Sequence, residues 1–295
     1  MERFRGFRVF CKSLTPLAIR RASSGGSERW TLRQRRDPYS REATRQNLKS
    51  RAAFKLLEID DKYHIFQQGQ TVVDLGYAPG SWTQIAVDRT GRNGHILGID
   101  ILPCAPPPGV SAIQGNFLHI KTQRAIKAFL LEQSLGRQND HVAVPVSRNN
   151  GSYGVFARQR QQLACDQNFG DDAGQPANYE KGQNNGVLVV DVVLSDMMAN
   201  TSGNSFRDHA MSMDLCHSAI AFALDTLKTG GHFVCKFYSG PEDVDLELRL
   251  REAFEVVKRE KPRASRSESR EQYFVSKSRK RGVTKQDLYG YDYDN

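Results

Sequence analysis

Five places in this chain set reactive or ligand-binding residues at the end of an apolar run. Thr71-Val72-Val73-Asp74-Leu75 reads as a short buried strand, and Gly76-Tyr77-Ala78-Pro79-Gly80 follows it as a tight loop. Glycines in such a loop let the backbone approach a ligand closely. The segment is not the Gly-x-Gly-x-x-Gly pattern, so it is a poor pyrophosphate cradle. Asp100 ends the next strand, where a carboxylate can bind both hydroxyls of a cofactor ribose. Asp74, Gly76, Pro79, Gly80 and Asp100 together suit an adenosine-containing cofactor. Asn116, in Gly115-Asn116-Phe117 after a third strand, offers an amide to an adenine edge, with Phe117 packing nearby. Trp82, one turn into the helix after the loop, suits either the cofactor's flank or plain helix–sheet packing. Asp196 closes the run Val187-Leu188-Val189-Val190-Asp191-Val192-Val193-Leu194-Ser195. Lys236 interrupts an apolar strand near its far end, where an unpaired buried charge is costly and calls for a partner.

A scaffold must hold these residues together. Residues 50–63 read as a helix, with Ala52, Ala53, Leu56, Leu57 and Ile59 at helical spacing. Ser81 is expected to cap a helix over 82–89. Further helices are expected over 121–135, over 208–227 with Gly230-Gly231 ending it, and over 246–257. Strands are expected over 71–75, 95–100, 110–113, 187–196, 232–237 and 273–276. The β-branched run before Asp196 suits a central strand covered on both faces. Alternating strands and helices predict an α/β, doubly wound, Rossmann-like fold with a central, mostly parallel sheet. Ligands then bind beyond the carboxyl ends of the strands.

The segment 136–186 breaks this rhythm. It is rich in Gln, Asn and Gly and reads as a poorly ordered, low-complexity insertion. Such a loop costs little if its ends stay close. The chain therefore divides into an N-terminal address over 1–27, a basic arm over 28–47, a main domain over 48–281 and a polar tail over 282–295.

The 295 residues carry 42 Lys plus Arg against 33 Asp plus Glu, a net charge of +9. Basic residues concentrate before Lys55 and again over 258–281, which favours an anionic partner. Residues 1–27 are Arg-rich, Ser-containing and acid-poor, with interspersed Phe4, Phe7, Val9, Phe10, Leu14, Leu17 and Ile19. That is the pattern of a mitochondrial transit peptide rather than a secretory signal. The five cysteines form no CxxC pair, so neither a disulfide framework nor a metal site is expected. No run of apolar residues is long enough to span a membrane.

Read in order, Ser50-Arg51-Ala52-Ala53-Phe54-Lys55-Leu56, the loop from Asp74 to Trp82, Ser195-Asp196-Met197-Met198-Ala199-Asn200-Thr201-Ser202-Gly203, Gly231-His232-Phe233-Val234-Cys235-Lys236-Phe237 and Ser269-Arg270-Glu271-Gln272-Tyr273 resemble the FtsJ-like ribose 2′-O-methyltransferases. The resemblance spans about residues 40–280, apart from 136–186. It implies a methyltransferase fold using S-adenosylmethionine, with a Lys–Asp–Lys–Glu tetrad on Lys55, Asp196, Lys236 and Glu271. It places cofactor contacts on Asp74, Gly76, Pro79, Gly80, Trp82, Asp100, Asn116, Phe117 and Asp196. Two positions depart from the family pattern. Asn116 replaces an Asp beside the adenine but keeps an acceptor oxygen. Ala199 replaces a Pro, which relaxes the turn after Asp196.

In such an enzyme a ribose oxygen attacks a methyl carbon in line with the departing sulfur. The resemblance assigns proton acceptance to Lys236, with Asp196 orienting it and Lys55 and Glu271 placing the ribose. A protonated Lys236 steadying a developing oxyanion is the other reading. Relatives act on ribosomal RNA or on the tRNA anticodon loop. With the N-terminal address, the chain is most similar to the mitochondrial large-subunit rRNA branch. That implies a uridine of the peptidyl-transferase region, in the matrix and in a pre-ribosomal particle. The alternatives are a tRNA ribose methyltransferase and a non-catalytic ribosome-assembly factor. A nicotinamide dehydrogenase lacks its fingerprint here. Composition sets no oligomeric state.

Overall fold

The computed structural model describes residues 37–140 and 188–290. The expected address (1–27), the start of the basic arm (28–36), nearly all of the expected insertion (141–187) and the last residues of the tail (291–295) lie outside the described residues.

The described chain forms α1 Pro38–Arg45, α2 Ala52–Tyr63, β1 Thr71–Leu75, α3 Ser81–Thr90, β2 His95–Asp100, β3 Val110–Gln114, α4 Ile120–Asp140, β4 Val190–Ser195, α5 Ser205–Thr226, β5 Leu227–Tyr238, α6 Asp243–Ala253, β6 Phe254–Glu260, β7 Glu271–Arg279 and α7 Lys285–Tyr289. The strands make one sheet in the order β3-β2-β1-β4-β5-β7-β6. β1 to β5 run parallel, while β7 inserts antiparallel between β5 and β6. The strand order reverses between β1 and β4. In a doubly wound sheet the crevice beyond the carboxyl ends at such a reversal is the usual place for a ligand.

Side-chain alternation sorts the sheet into two apolar layers. Val73, Leu75, Val193, Phe233, Cys235 and Phe237 face α4, α5 and α6. Val72, Val192, Leu194, Val234, Tyr273 and Val275 face Leu56 and Ile59 of α2 and Trp82 and Ile85 of α3. Truncating a fully buried residue such as Leu56 to Ala is expected to cost about 2–5 kcal/mol.

Several local expectations are corrected. Ser81 does not cap α3. Gly80 takes the cap position at φ 104°, a conformation that favours glycine, and Ser81 is the first helical residue. Gly230-Gly231 does not end α5. The helix stops at Thr226, and both glycines lie inside β5, beside a register shift in its pairing with β4. The expected helix over 246–257 stops at Ala253. Phe254 to Glu260 pair along β7 instead, and that ladder outweighs the helical period of the sequence. Part of the expected arm is a helix: Asp37 caps α1, and Ala43 packs inward.

Candidate active site

The face of the sheet that packs on α2 and α3 turns from apolar to charged at its carboxyl edge. On β1, Asp74 follows Val72; on β2, Asp100 ends the strand; beyond β4, Asp196 follows Leu194; on β5, Lys236 follows Val234. β7 runs the other way, so its first residues meet the same edge. Tyr273 pairs with Lys236 and Glu271 with Tyr238. Lys55 reaches this edge from α2, whose buried Ala53, Leu56 and Ile59 clamp the helix to the sheet.

Two ion pairs form there. Lys55 Nζ lies 2.6 Å from Glu271 Oε1, with both side chains about nine-tenths buried. Lys236 Nζ lies 3.0 Å from Asp196 Oδ1 and donates a 2.6 Å hydrogen bond to the Asp196 carbonyl. The two pairs are neighbours: burial pushes the Glu271 carboxyl up, but Lys55, the nearby Ser265 hydroxyl and the charge of Lys236 hold it below its ordinary value. The four tetrad residues named from the sequence therefore share one site.

Sequence reasoning missed a fifth member. Tyr273 is fully buried, donates a 3.2 Å hydrogen bond to Asp196 Oδ1, and lies under Lys55, whose Nζ is 5.8 Å from the ring centroid. Burial, then the charges of Asp196 and Glu271, push its phenol well up, so it stays a donor. The available signal was strand period: Tyr273 is two residues from Glu271 and shares its face.

The crevice beside the tetrad is acidic. Asp74 is fully buried, and neither of its carboxylate oxygens has a hydrogen-bond partner. Burial, then the charges of Asp196 and Asp100, raise its pKa well above the ordinary carboxylate range, and the Thr83 amide offsets this only weakly. Asp100 accepts from the Ala78 amide at 2.9 Å and from the Leu102 amide at 2.8 Å, which fixes its carboxylate against the β1–α3 loop. That loop folds back through Gly76 N–H to the Ile99 carbonyl at 2.8 Å. Gly76 has φ 80°, and a Cβ there would sit 2.8 Å from Met197 Cγ, so the loops after β1 and β4 touch. Pro79 follows a cis peptide bond.

Three expected cofactor contacts have other commitments. The Trp82 indole is buried, donates to the Ala52 carbonyl at 2.9 Å and packs against Tyr273 at 5.6 Å between centroids. Phe117 is buried edge-on to Phe222 at 5.5 Å. Both side chains therefore support the site from the core. Asn116 uses Oδ1 to accept the Leu118 amide at 3.0 Å, just ahead of α4.

The two basic flanks meet beside Lys55. Arg51 pairs with Asp37 and donates to the Ala264 carbonyl, Arg266 Nη2 lies 3.8 Å from Asp37, and Glu58 accepts the amides of Arg263 and Ala264. Arg51 and Arg266 are thus spent on holding α1 to the 261–270 segment. Arg41, Lys49, Arg263 and Arg270 stay exposed around it.

A sheet ordered 3-2-1-4-5-7-6, with an acidic crevice and a buried lysine at its switch point, defines the methyltransferase class of α/β proteins. The model of the FtsJ-like methyltransferase family matches residues 48–279, and the chain belongs to that family. It is 38% identical to "rRNA methyltransferase 2, mitochondrial" of Saccharomyces cerevisiae, over 91% of this chain and 92% of that protein. It is 36% identical to the protein of the same name in Schizosaccharomyces pombe, over 85% and 95%. It is 33% identical to "Ribosomal RNA large subunit methyltransferase E" of Gluconobacter oxydans, over 88% and 75%. Among solved structures, a ribosomal RNA methyltransferase from Plasmodium falciparum aligns with TM-score 0.51 at 26% identity, covering 78% of this chain and 98% of that one.

The family implies S-adenosylmethionine, and the crevice fits it. The cofactor carries positive charge on its sulfur and its amine. The crevice holds a buried carboxylate, Asp74, that lacks a donor, with Asp100 and Asp196 close enough to raise its pKa. A cation is what such a group requires.

Among the described residues no helix is long and apolar enough to cross a membrane.

Proposed function

We propose that the chain methylates a ribose 2′-hydroxyl of a uridine in mitochondrial large-subunit rRNA, using S-adenosylmethionine. One observation carries this reading: Lys236, paired to Asp196, stands at the edge of the acidic crevice with the Lys55–Glu271 pair beside it. Asp74, Gly76, Pro79, Gly80, Asp100, Asn116 and Asp196, with the backbones of Trp82 and Phe117, would hold the cofactor. When bound, it supplies a methyl group activated by a positively charged sulfur.

The chain's own residues do the rest. Lys236 gives up the proton of its resting ion pair to solvent and, as the neutral amine, accepts the hydroxyl proton as the oxygen bonds to the methyl carbon. The ammonium so formed is the species that the Asp196 carboxylate and carbonyl are placed to stabilise, at 3.0 and 2.6 Å. Tyr273 keeps Asp196 oriented through Oδ1. Lys55 places the ribose and its phosphate, and Glu271 balances its charge. Arg41, Lys49, Arg263 and Arg270 hold neighbouring phosphates, which positions the RNA without reading its sequence.

The N-terminal composition and the names of the two yeast relatives support a mitochondrial site of action; action in the matrix, on a pre-ribosomal particle, is part of the same proposal. The test is ribose-methylation mapping of mitochondrial rRNA in cells carrying either the wild-type chain or Lys236→Ala. Loss of one methylated uridine with the variant supports the reading. Unchanged rRNA together with a lost tRNA methylation replaces the substrate by tRNA. Rescue of methylation by the variant overturns the mechanism.

A further inference from the structure

We propose that Tyr39 and Phe54 form a platform on which one unpaired RNA base stacks, that of the nucleotide adjoining the methylated one. The inference rests on the ribose-methylation reading above. It adds that the substrate is single-stranded where it enters the site.

The helix α2 has two faces. Ala53, Leu56, Ile59 and Asp60 are buried on one. Arg51, Phe54, Lys55 and Glu58, spaced three or four residues apart, share the other. The charged members of that second face are committed: Lys55 to Glu271, Arg51 to Asp37 and the Ala264 carbonyl, and Glu58 to the amides of Arg263 and Ala264. Phe54 is the one apolar residue of the four. It is only partly buried and joins neither apolar layer of the sheet. Its ring lies 5.7 Å from that of Tyr39, tilted by 52°, and the Arg51 guanidinium lies 5.5 Å from the Tyr39 ring centroid.

Tyr39 is also partly exposed, and it stands in the first turn of α1. That helix buries only Ala43, and one buried alanine stabilises little. Yet its start is firmly anchored: Asp37 accepts the Tyr39 amide at 3.0 Å and pairs with both Arg51 and Arg266. What the anchored helix adds to the surface is the aromatic pair. The charges around the pair are those of a nucleic-acid surface, with Arg41, Lys49, Arg263 and Arg270 exposed. Aromatic faces among phosphate-binding cations hold single strands, because the bases of a duplex are already stacked on one another. Phe54 directly precedes Lys55, which places the ribose, so a base on the platform belongs to a neighbour of the modified nucleotide. Stacking uses the face of a base, so this contact holds any of the four bases and reads none.

The experiment uses the full chain and three synthetic single-stranded fragments of mitochondrial large-subunit rRNA around the methylated position. One is intact, one lacks the base just 5′ of the methylated nucleotide, and one lacks the base just 3′ of it. Affinity is read by fluorescence anisotropy for the wild type, Phe54→Leu, Phe54→Tyr and Tyr39→Leu, with methyl transfer and cofactor calorimetry alongside. Removing one of the two bases should weaken wild-type binding about tenfold, the scale of one lost stack. Phe54→Leu should bind the intact fragment about tenfold more weakly and be indifferent to that base. Phe54→Tyr should keep the wild-type pattern, and Tyr39→Leu should shrink the difference between the fragments. Cofactor affinity should stay at the wild-type value in every variant, which also shows that they fold. A wild type indifferent to both bases overturns the platform. So does a Phe54→Leu protein that binds all three fragments more weakly by one factor and keeps the full difference, since the aromatic pair then only secures α1. Both of these outcomes leave the ribose-methylation reading standing. A wild type that holds the base but transfers no methyl to the intact fragment strikes that reading and leaves the platform as an RNA contact.

Discussion

The Tyr273 phenol and Lys236 Nζ meet at the same oxygen, Oδ1 of Asp196, at 3.2 and 3.0 Å. They are register partners across β5 and β7, so sheet pairing alone fixes their separation. Oδ1 therefore serves the lysine in only one orientation of the carboxylate, and Tyr273 holds that orientation. Tyr273→Phe keeps the ring against Trp82 and removes only the donor. A hydrogen bond to a charged group is worth about 1.5–3 kcal/mol, so kcat should fall by about tenfold to about a hundredfold. Cofactor affinity and fold should be unchanged by calorimetry and circular dichroism. An unaltered kcat would remove Tyr273 from the positioning of Asp196.

Lys236 is the stronger test of the chemistry. Lys236→Ala removes the proton acceptor and leaves Asp196 bound only to Tyr273. A positioned general base contributes about 10²–10⁴-fold, so single-turnover methyl transfer should fall by at least that range. RNA and cofactor binding should persist, because neither the exposed arginines nor the acidic crevice has been touched. Turnover equal to the wild type would end the assignment.

Asp74 gives a prediction with a defined sign in pH. Its folded-state pKa is raised by burial and by Asp196 and Asp100, above an ordinary value of 3.8. The unfolded chain therefore loses this proton first as pH rises, and the folded state of the free protein is progressively disfavoured above that pH. Asp74→Asn abolishes this slope. The ligand-free variant should match the wild type near pH 3.8 and gain stability as pH rises. By pH 8 the gain should approach the cost of a buried polar group without a partner, about 1–3 kcal/mol. The same substitution should weaken cofactor binding. Melting temperatures across pH, with and without cofactor, check both. A variant less stable than the wild type at pH 8 would show that the Asp74 carboxylate is satisfied in the free protein.

The fold and the tetrad were legible in the sequence for different reasons. The strands ending at Asp74, Asp100 and Asp196 are short apolar runs with charged ends, and burial on both faces leaves little choice of structure. β6 was not legible, because Phe254, Val256 and Val257 continue the helical spacing of α6 and only the ladder with β7 overrules it. The cap of α3 was misread because Ser81 is a good capping residue, whereas the chain needed a positive φ one residue earlier. Trp82 and Phe117 lie beside the crevice in sequence, yet their side chains turn into the core, and an aromatic near a loop carries no sign of which way it points. Tyr273 was read as part of a motif rather than as a member of the site, since its role depends on the pairing of β5 with β7.

The Lys55–Glu271 pair joins α2 to the start of β7, and it predicts both a catalytic and an acid-stability effect. Glu271 titrates below its ordinary value of 4.5 in the folded chain, because Lys55, Ser265 and Lys236 outweigh the effect of burial. A depressed folded pKa gives stability that is complete above the unfolded value and is lost as pH falls through the folded value. The wild type should therefore lose stability below about pH 4.5, and Glu271→Gln should flatten that limb while lying below the wild type at neutral pH. Both side chains are about nine-tenths buried, so an unpaired Lys55 is costly, about 3–5 kcal/mol for a broken buried pair. Lys55→Met with Glu271→Gln removes both charges and should recover much of that loss. Activity should not recover with it, because Lys55 is still needed to place the ribose. Urea denaturation at pH 4 and pH 7, paired with methyl-transfer assays on the wild type and both variants, separates the two effects. Recovery of activity in the double variant would make the pair purely structural.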